Sequence, residues 1–250
     1  MTLSTRTKLI GLLGLGAALA GAAVVPYQAE LAPEIRELPI SLGTLSLIAG
    51  LQTGVLCGVL SWLGLWAATP VNLGAPVLEA WLEGQAPSIN RLLTLMGLGV
   101  VAGLVIAGVD GNLILPLLPD AGSELPSPSA TVALGASLYG AIVEELLLRL
   151  FLLSVVAWVL SWPARRKKRP FEGAITAAVV VSALLFGLGH LPAAASVWPL
   201  TPIVVARVIG LNLLFGMGFG LLYVRYGLFA AMCAHFGADL GLHVLPRLFG

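Results

Sequence analysis

The chain alternates long apolar runs with short joints rich in proline and glycine. Runs near residues 9–25, 42–68, 92–115, 131–162, 173–190, 200–224 and 227–245 approach or exceed the roughly 20 apolar residues that a helix needs to cross the hydrocarbon core of a bilayer. The joints between them, PYQAELAPEIRELP, residues 70–90, PLLPDAGSELPSPSA, WPARRKKRPFE and HLPAAASVWPLTP, carry the prolines that stop helices. The pattern predicts an all-α fold, a polytopic transmembrane helical bundle of about seven spans. Residues 1–250 form a single integral membrane domain on this reading, because seven spans with short connections leave no length for a large soluble one. No internal repeat is evident.

Composition agrees: 58% of the residues are hydrophobic and 10% charged, against about 45–50% and about 25% in ordinary soluble domains. The net charge of +1 does not bear on nucleic acid, since what matters is where the basic residues fall, and no nucleic-acid partner is expected. The expected partner on composition is the lipid bilayer, and the pattern gives no oligomeric state. Cys57 and Cys233 lie inside apolar runs and read as small buried hydrophobes.

Cytoplasmic loops are enriched in lysine and arginine. Placing Arg6 and Lys8 inside also places Arg91, the run Arg165, Arg166, Lys167, Lys168, Arg169, and Arg225 inside, leaving Arg36 and Arg247 outside. This favours a cytoplasmic N-terminus and an external C-terminus in the plasma membrane of a bacterial or archaeal cell. Trp158 and Trp162 beside the basic run fit an interfacial aromatic belt on the same side. The opening MTLSTRTKLIGLLGLGAALAGAA fits a retained first span better than a cleaved secretory signal, whose features it shares.

Ionisable groups inside a membrane are costly and mark function by default. The runs contain Glu144, Glu145, Arg149, Arg207 and Asp239, and His190, His235 and His243 lie in or at the ends of the last spans. Glu145 and Arg149 stand at i and i+4 with the acid first, the favourable order for a helical ion pair. Glu144 is rotated about 100° from Glu145 and lacks that partner. Arg207 can take up a second negative charge, yet three carboxylates against two arginines leave one acid over, available as a general base or acid. A purely structural role, locking helices together, competes for Glu145 and Arg149. It fits Glu144 less well, because a second adjacent carboxylate adds burial cost without a packing gain.

Depth arithmetic brings residues together. Glu144 lies 18 residues above Trp162 and His190 lies 17 above Gly173, so both are about 26 Å from the cytoplasmic edge at about 1.5 Å per residue. His235 and Asp239 share a helix face at i and i+4, so the carboxylate can orient the imidazole. His235, however, is only seven residues from Leu228, about 11 Å. The levels match only if that helix starts deeper or tilts, and His243 is the reserve candidate.

EELLLR at 144–149, FGLGH at 186–190 and HFGAD at 235–239 stand in order on separate apolar segments. Together they resemble the glutamate intramembrane proteases of the CAAX-processing and bacteriocin-processing (CPBP) family, with motifs EExxxR, FxxxH and Hxxx followed by Asn or Asp. The resemblance covers residues 131–245, including the lead-in FGMGFGLLYVRYG, and leaves residues 1–130 as helices of unassigned role. It implies an endopeptidase that cuts prenylated or otherwise membrane-tethered polypeptides. Glu144 and His190 would activate a water. His235 and Asp239 would stabilise the oxyanion, and Glu145, Arg149 and Phe186 would support them, with Arg207 as a further supporting charge. No cofactor or metal is implied, although zinc held by Glu144, His190 and His235 is a chemical alternative. Asp239 replaces the more usual asparagine. An ionised aspartate cannot donate to an oxyanion, so orienting His235, or acting as a protonated acid, suits it better.

Other membrane proteases fit less well: HExxH is absent, GAS at 135–137 falls short of GxSG, and Asp110 sits in a VDGN turn at a span end. The rival from another class is a non-catalytic relative serving as transporter, immunity factor or scaffold. A relative freed from catalysis could lose one of Glu144, His190 and His235, and this chain keeps all three.

Overall fold

The computed structural model describes residues 2–118, 128–166 and 172–249. Lys167, Lys168 and Arg169 of the basic run, and residues 119–127 of the third long joint, lie outside them.

Among the described residues six helices are long and apolar enough to cross a membrane: α1 (Leu3–Leu31), α2 (Leu42–Val71), α3 (Ile89–Leu117), α5 (Gly173–Ala195), α6 (Pro202–Tyr226) and α7 (Leu228–Phe249). Between α3 and α5, residues 130–166 form a further helical rod, α4, interrupted by wide π turns at Gly140–Glu144 and Leu146–Leu153. This is the all-α bundle that the apolar pattern predicts. Side-chain hydroxyls cap two of the starts, where the Thr5 and Thr44 amides donate to Thr2 Oγ1 and Ser41 Oγ. Such caps satisfy amides that have no partner inside the helix.

Helices pair extensively as α1 with α2, α3 with α7, and α5 with α6. The α3–α7 contact is built from glycine. A side chain on Gly99 or Gly103 would run into the carbonyl oxygens of Ala234 or Ala238, and one on Gly237 or Gly241 into those of Met96 or Val100. Two reciprocal GxxxG faces thus let the backbones touch, which in lipid supplies the dispersion contact that hydrophobicity alone cannot. The outward faces carry residues such as Leu51 and Val105, 60% and 57% exposed, an apolar surface suited to lipid. Inside, Leu146, Leu150 and Leu153 of α4 are fully buried with Leu65 and Leu228.

The depth conflict of α7 has a physical solution. Residues 72–87, including the short helix Pro76–Leu82, fold beneath the start of α7. The Leu228 amide donates to the Gly74 carbonyl at 3.0 Å, and Leu228 has no exposed surface. Gly227 makes the turn at φ 84°, where a side chain would also strike the ring of Pro76. The helix therefore starts inside the bundle rather than at its edge. At that same end, Arg6 reaches the Trp62 carbonyl at 3.3 Å, Trp66, Trp158 and Trp162 form one aromatic cluster, and Arg91 lies over Tyr226 at 5.7 Å.

Candidate active site

His235 is the hub. Its side chain is buried on α7, and its Nδ1 lies 2.8 Å from Glu145 Oε1. A carboxylate only accepts, so Nδ1 carries the proton and Nε2 is left to act. Nε2 faces Glu144 Oε2 at 3.8 Å and Asp239 Oδ2 at 3.7 Å. Both distances are beyond a direct hydrogen bond. The two adjacent glutamates thus address opposite nitrogens of one ring.

Local structure explains how. Glu144 closes one π turn and the next opens just after Glu145, and π turns occur mostly as short insertions at functional sites. Gly140, at the start of the first, keeps α4 close to α7. A Cβ there would come within 2.6 Å of Asp239 Oδ2 and 3.1 Å of His235 Nε2. Past the second π turn, the Tyr223 hydroxyl meets Ser154 Oγ at 2.7 Å, and Ser154 Oγ lies 3.3 Å from the Arg149 carbonyl. Since Ser154 has one proton and the carbonyl has none, Ser154 donates to Arg149 and Tyr223 donates to Ser154.

Arg149 is fully buried beside Glu145 Oε1, with Nη1 at 3.4 Å, and its Nη2 donates to the Gly216 carbonyl at 3.2 Å. Its guanidinium also lies over Phe186 at 5.0 Å and Phe219 at 5.6 Å, a cation–π sandwich that offsets desolvation. Phe219 in turn stacks on His235 at 4.4 Å and 17°. The ring of His235 is held by a carboxylate at one nitrogen and an aromatic plane on its face.

His190, at the end of α5, meets the Phe186 carbonyl through Nδ1 at 2.8 Å. That bond fixes the proton on Nδ1 and leaves Nε2 as an acceptor. Phe186 contacts both histidines, edge-on to His190 at 4.7 Å and to His235 at 6.0 Å. Glu144, Glu145, Arg149, Phe186, His235 and Asp239 come together around one point, with His190 against Phe186 and outside ion-pair distance of Glu144. Glu144 meets His235 instead.

Two sequence expectations are corrected. Glu145, not Asp239, orients His235, because it holds Nδ1 while Asp239 lies on the Nε2 side. Arg207 does not neutralise the site's surplus acid, because Asp110 claims it: Arg207 Nε and Nη2 reach the two oxygens of Asp110 at 2.7 and 2.5 Å, and Trp198 lies against the guanidinium at 5.1 Å. The site therefore has three carboxyl groups around one guanidinium and one imidazole. Among the described residues no three His, Cys, Asp or Glu side chains are grouped as a metal site.

A family model described as type II CAAX prenyl endopeptidase Rce1-like matches residues 126–241. The match to this CPBP-family model spans the segment that carries the three motifs. EELLLR, FGLGH and HFGAD all lie within the matched residues. No curated protein and no solved structure gives a significant match to the chain. Beyond the motifs, Phe219, Gly140 and Gly216 touch the cluster, and sequence reasoning did not single them out. Phe219 had a signal in the i, i+4 pair Phe215 and Phe219, whose rings stack at 5.7 Å. Gly216 acts through its carbonyl, which no side-chain pattern reveals.

Proposed function

We propose that the protein is an intramembrane endopeptidase that hydrolyses membrane-tethered polypeptides without a metal. Glu144 is the base. Its side chain is 22% exposed, against none for Glu145, so it is the reachable member of the pair, and it has no arginine to neutralise it. Glu144 takes a proton from a water, with the free Nε2 of His190 as a second acceptor for that water. The water oxygen bonds to the peptide carbonyl carbon, and the carbonyl electrons move to oxygen.

His235 in its charged form offers Nε2–H to that oxyanion from between Glu144 and Asp239, and a protonated Asp239 adds a second donor. Such donors are often the largest electrostatic contribution to acyl transfer. Glu145, bound to Arg149, keeps the ring in place. Collapse breaks the C–N bond as Glu144 returns its proton to the leaving amine, giving a carboxylic acid and an amine. The oxyanion role fits a CAAX-type core, and the site's depth fits a substrate held in the bilayer by its lipid.

The observation that carries this reading is the approach of Glu144, Glu145 and Asp239, from two helices, to the two nitrogens of one buried imidazole. Its test is cleavage of a membrane-tethered peptide library by the purified protein, wild type against Glu144→Gln, with and without a strong chelator. Expected is Glu144-dependent cleavage that survives chelation. Loss on chelation, restored by stoichiometric zinc, would replace the mechanism with a metal-assisted one.

A further inference from the structure

A cavity of about 690 Å³ opens at the end of the bundle that carries the tryptophan cluster, beneath the start of α7. Its apolar wall includes Leu65, Leu73 and Val77, and its charged groups are Arg91, Arg225 and Glu79. The two arginines converge on one ring. The Arg91 guanidinium lies 5.7 Å from the centre of Tyr226 and that of Arg225 lies 5.5 Å from it, while Arg225 Nε donates to the Tyr226 hydroxyl at 3.1 Å. A tyrosine face attracts cations, yet it cannot neutralise two of them. Among the described residues neither arginine has a carboxylate within ion-pair distance, whereas Arg149 and Arg207 each have one. Glu79 lines the same cavity and pairs with neither.

The depth of the two arginines selects the anion. Arg91 stands in the first turn of α3 and Arg225 in the last turn of α6, so both lie where spans meet lipid headgroups. Each is continued toward the bilayer centre by an apolar stripe on its own helix. Leu98, seven residues after Arg91, and Leu221 and Leu214, four and eleven residues before Arg225, are all more than half exposed. Those spacings return to the same helix face. A soluble anion would use the arginines alone, whereas a phospholipid also covers the stripes.

We propose that this cavity binds the phosphate of an anionic glycerophospholipid, of the phosphatidylglycerol type, with the acyl chains laid along α3 and α6. Basic pockets between spanning helices bind such headgroups. Arg91 and Arg225 donate to the phosphate oxygens in charge-assisted hydrogen bonds. Two arginines against Glu79 leave one positive charge in excess, which a single phosphodiester balances, and the Glu79 carboxylate accepts from the headgroup hydroxyls. Gly74 and Gly227 line the same cavity, and the Gly74 carbonyl is the acceptor of the Leu228 amide. A bound headgroup therefore braces the turn that lifts α7, the helix that carries His235. The site stands independently of the proteolytic reading.

The test uses the full chain in neutral detergent, titrated with dioleoyl phosphatidylglycerol, with dioleoyl phosphatidylcholine, or with inorganic phosphate alone. Native mass spectrometry counts the bound lipid and a thermal melt follows stability. Wild type should retain one phosphatidylglycerol per chain, with about ten- to a hundred-fold preference over phosphatidylcholine, the range for a charge-assisted hydrogen bond. Its melting temperature should rise as that lipid is added. Arg91→Gln combined with Arg225→Gln should melt like wild type without lipid, since both side chains are exposed, and should lose the preference and the shift. Arg91→Lys combined with Arg225→Lys should recover part of both. Arg36→Gln, an exposed arginine beyond the far end of α1, should keep them in full. Equal retention of the two lipids by wild type, or a preference that survives the double glutamine variant, would overturn the site. A loss as large in Arg36→Gln would overturn it in favour of overall charge. Inorganic phosphate that reproduces the melt shift and displaces the lipid would overturn the lipid assignment in favour of a free anion.

Discussion

Two ion-pair sites sit inside this bundle and are built on opposite principles. Asp110 and Arg207 form a closed pair: one acid, one base, a two-point contact, and a tryptophan ring against the cation. Around His235, three carboxyl groups share one arginine and one imidazole. The first arrangement has nothing left to exchange with a substrate and joins α3 to α6. The second cannot be neutral without a shared proton, and two of its acids, Glu144 and Asp239, keep 22% and 13% exposure. Buried charge by itself therefore says little. Imbalance with partial access distinguishes a site that can move protons from one that only joins helices.

The sharpest way to break the comparison is Glu144→Gln. Removing the base should cost about 10²- to 10⁴-fold in turnover, the usual range for a positioned acid–base group. The thermal melt should stay close to wild type, since Glu144 has no arginine to strand. Near-normal turnover in a folded variant would take away the base and the mechanism together.

Glu145→Gln should lose both activity and stability, because it removes the acceptor that fixes His235 and leaves Arg149 uncompensated in the core. Breaking a fully buried pair in this way typically costs about 3–5 kcal/mol. Adding Arg149→Met should recover much of the melting temperature but not the activity. A double variant that regains turnover would show that Glu145 serves packing alone.

Much of this was legible in the sequence. The spans follow from apolar run length, and Glu145, Arg149, His235 and Asp239 follow from four-residue spacing on helices. What was not legible came from departures from regular helix. The 100° that separates Glu144 from Glu145 in an ideal helix suggested different neighbours, but with π turns on either side both meet the same ring. The shallow count for His235 assumed that α7 begins at the membrane edge, whereas residues 72–87 lift its start. The Arg207 pairing is not legible because Asp110, in a turn-like VDGN, reads as a span end rather than as an acid facing α6. The glycine faces of α3 and α7 were readable as GLGVVAG and GADLG, but a spacing of four does not name its partner helix.

On the structural side of the comparison, Asp110→Asn should lower stability by about 1.5–3 kcal/mol, the range for a hydrogen bond to a charged group. The pair is about 15% exposed, so this is a smaller loss than at Glu145. Cleavage at permissive temperature should change by no more than a few-fold. A melt and a rate measured on the same preparation separate the two. A collapse of kcat in a protein that melts normally would mean that the α3–α6 junction also controls the site.

The smallest expected effect is Asp239→Asn. Asp239 lies on the Nε2 side of His235 at 3.7 Å and does not orient the ring, since Glu145 already does. Asparagine keeps the shape, supplies an amide donor toward the proposed oxyanion, and removes one of three competing acids. Activity should therefore stay within about ten-fold of wild type, less than the loss of a full oxyanion-hole donor. Asp239→Ala offers no donor and should fall further, while its fold remains that of wild type because the side chain makes no hydrogen bond that the helix needs. Rates for the three proteins on one tethered peptide, with melts as the control, decide the matter. If Asp239→Asn is as inactive as Asp239→Ala and both are folded, a carboxyl group at 239 is required. The surplus of acid around His235 would then be shared between Glu144 and Asp239 as a working pair, rather than vested in Glu144 alone.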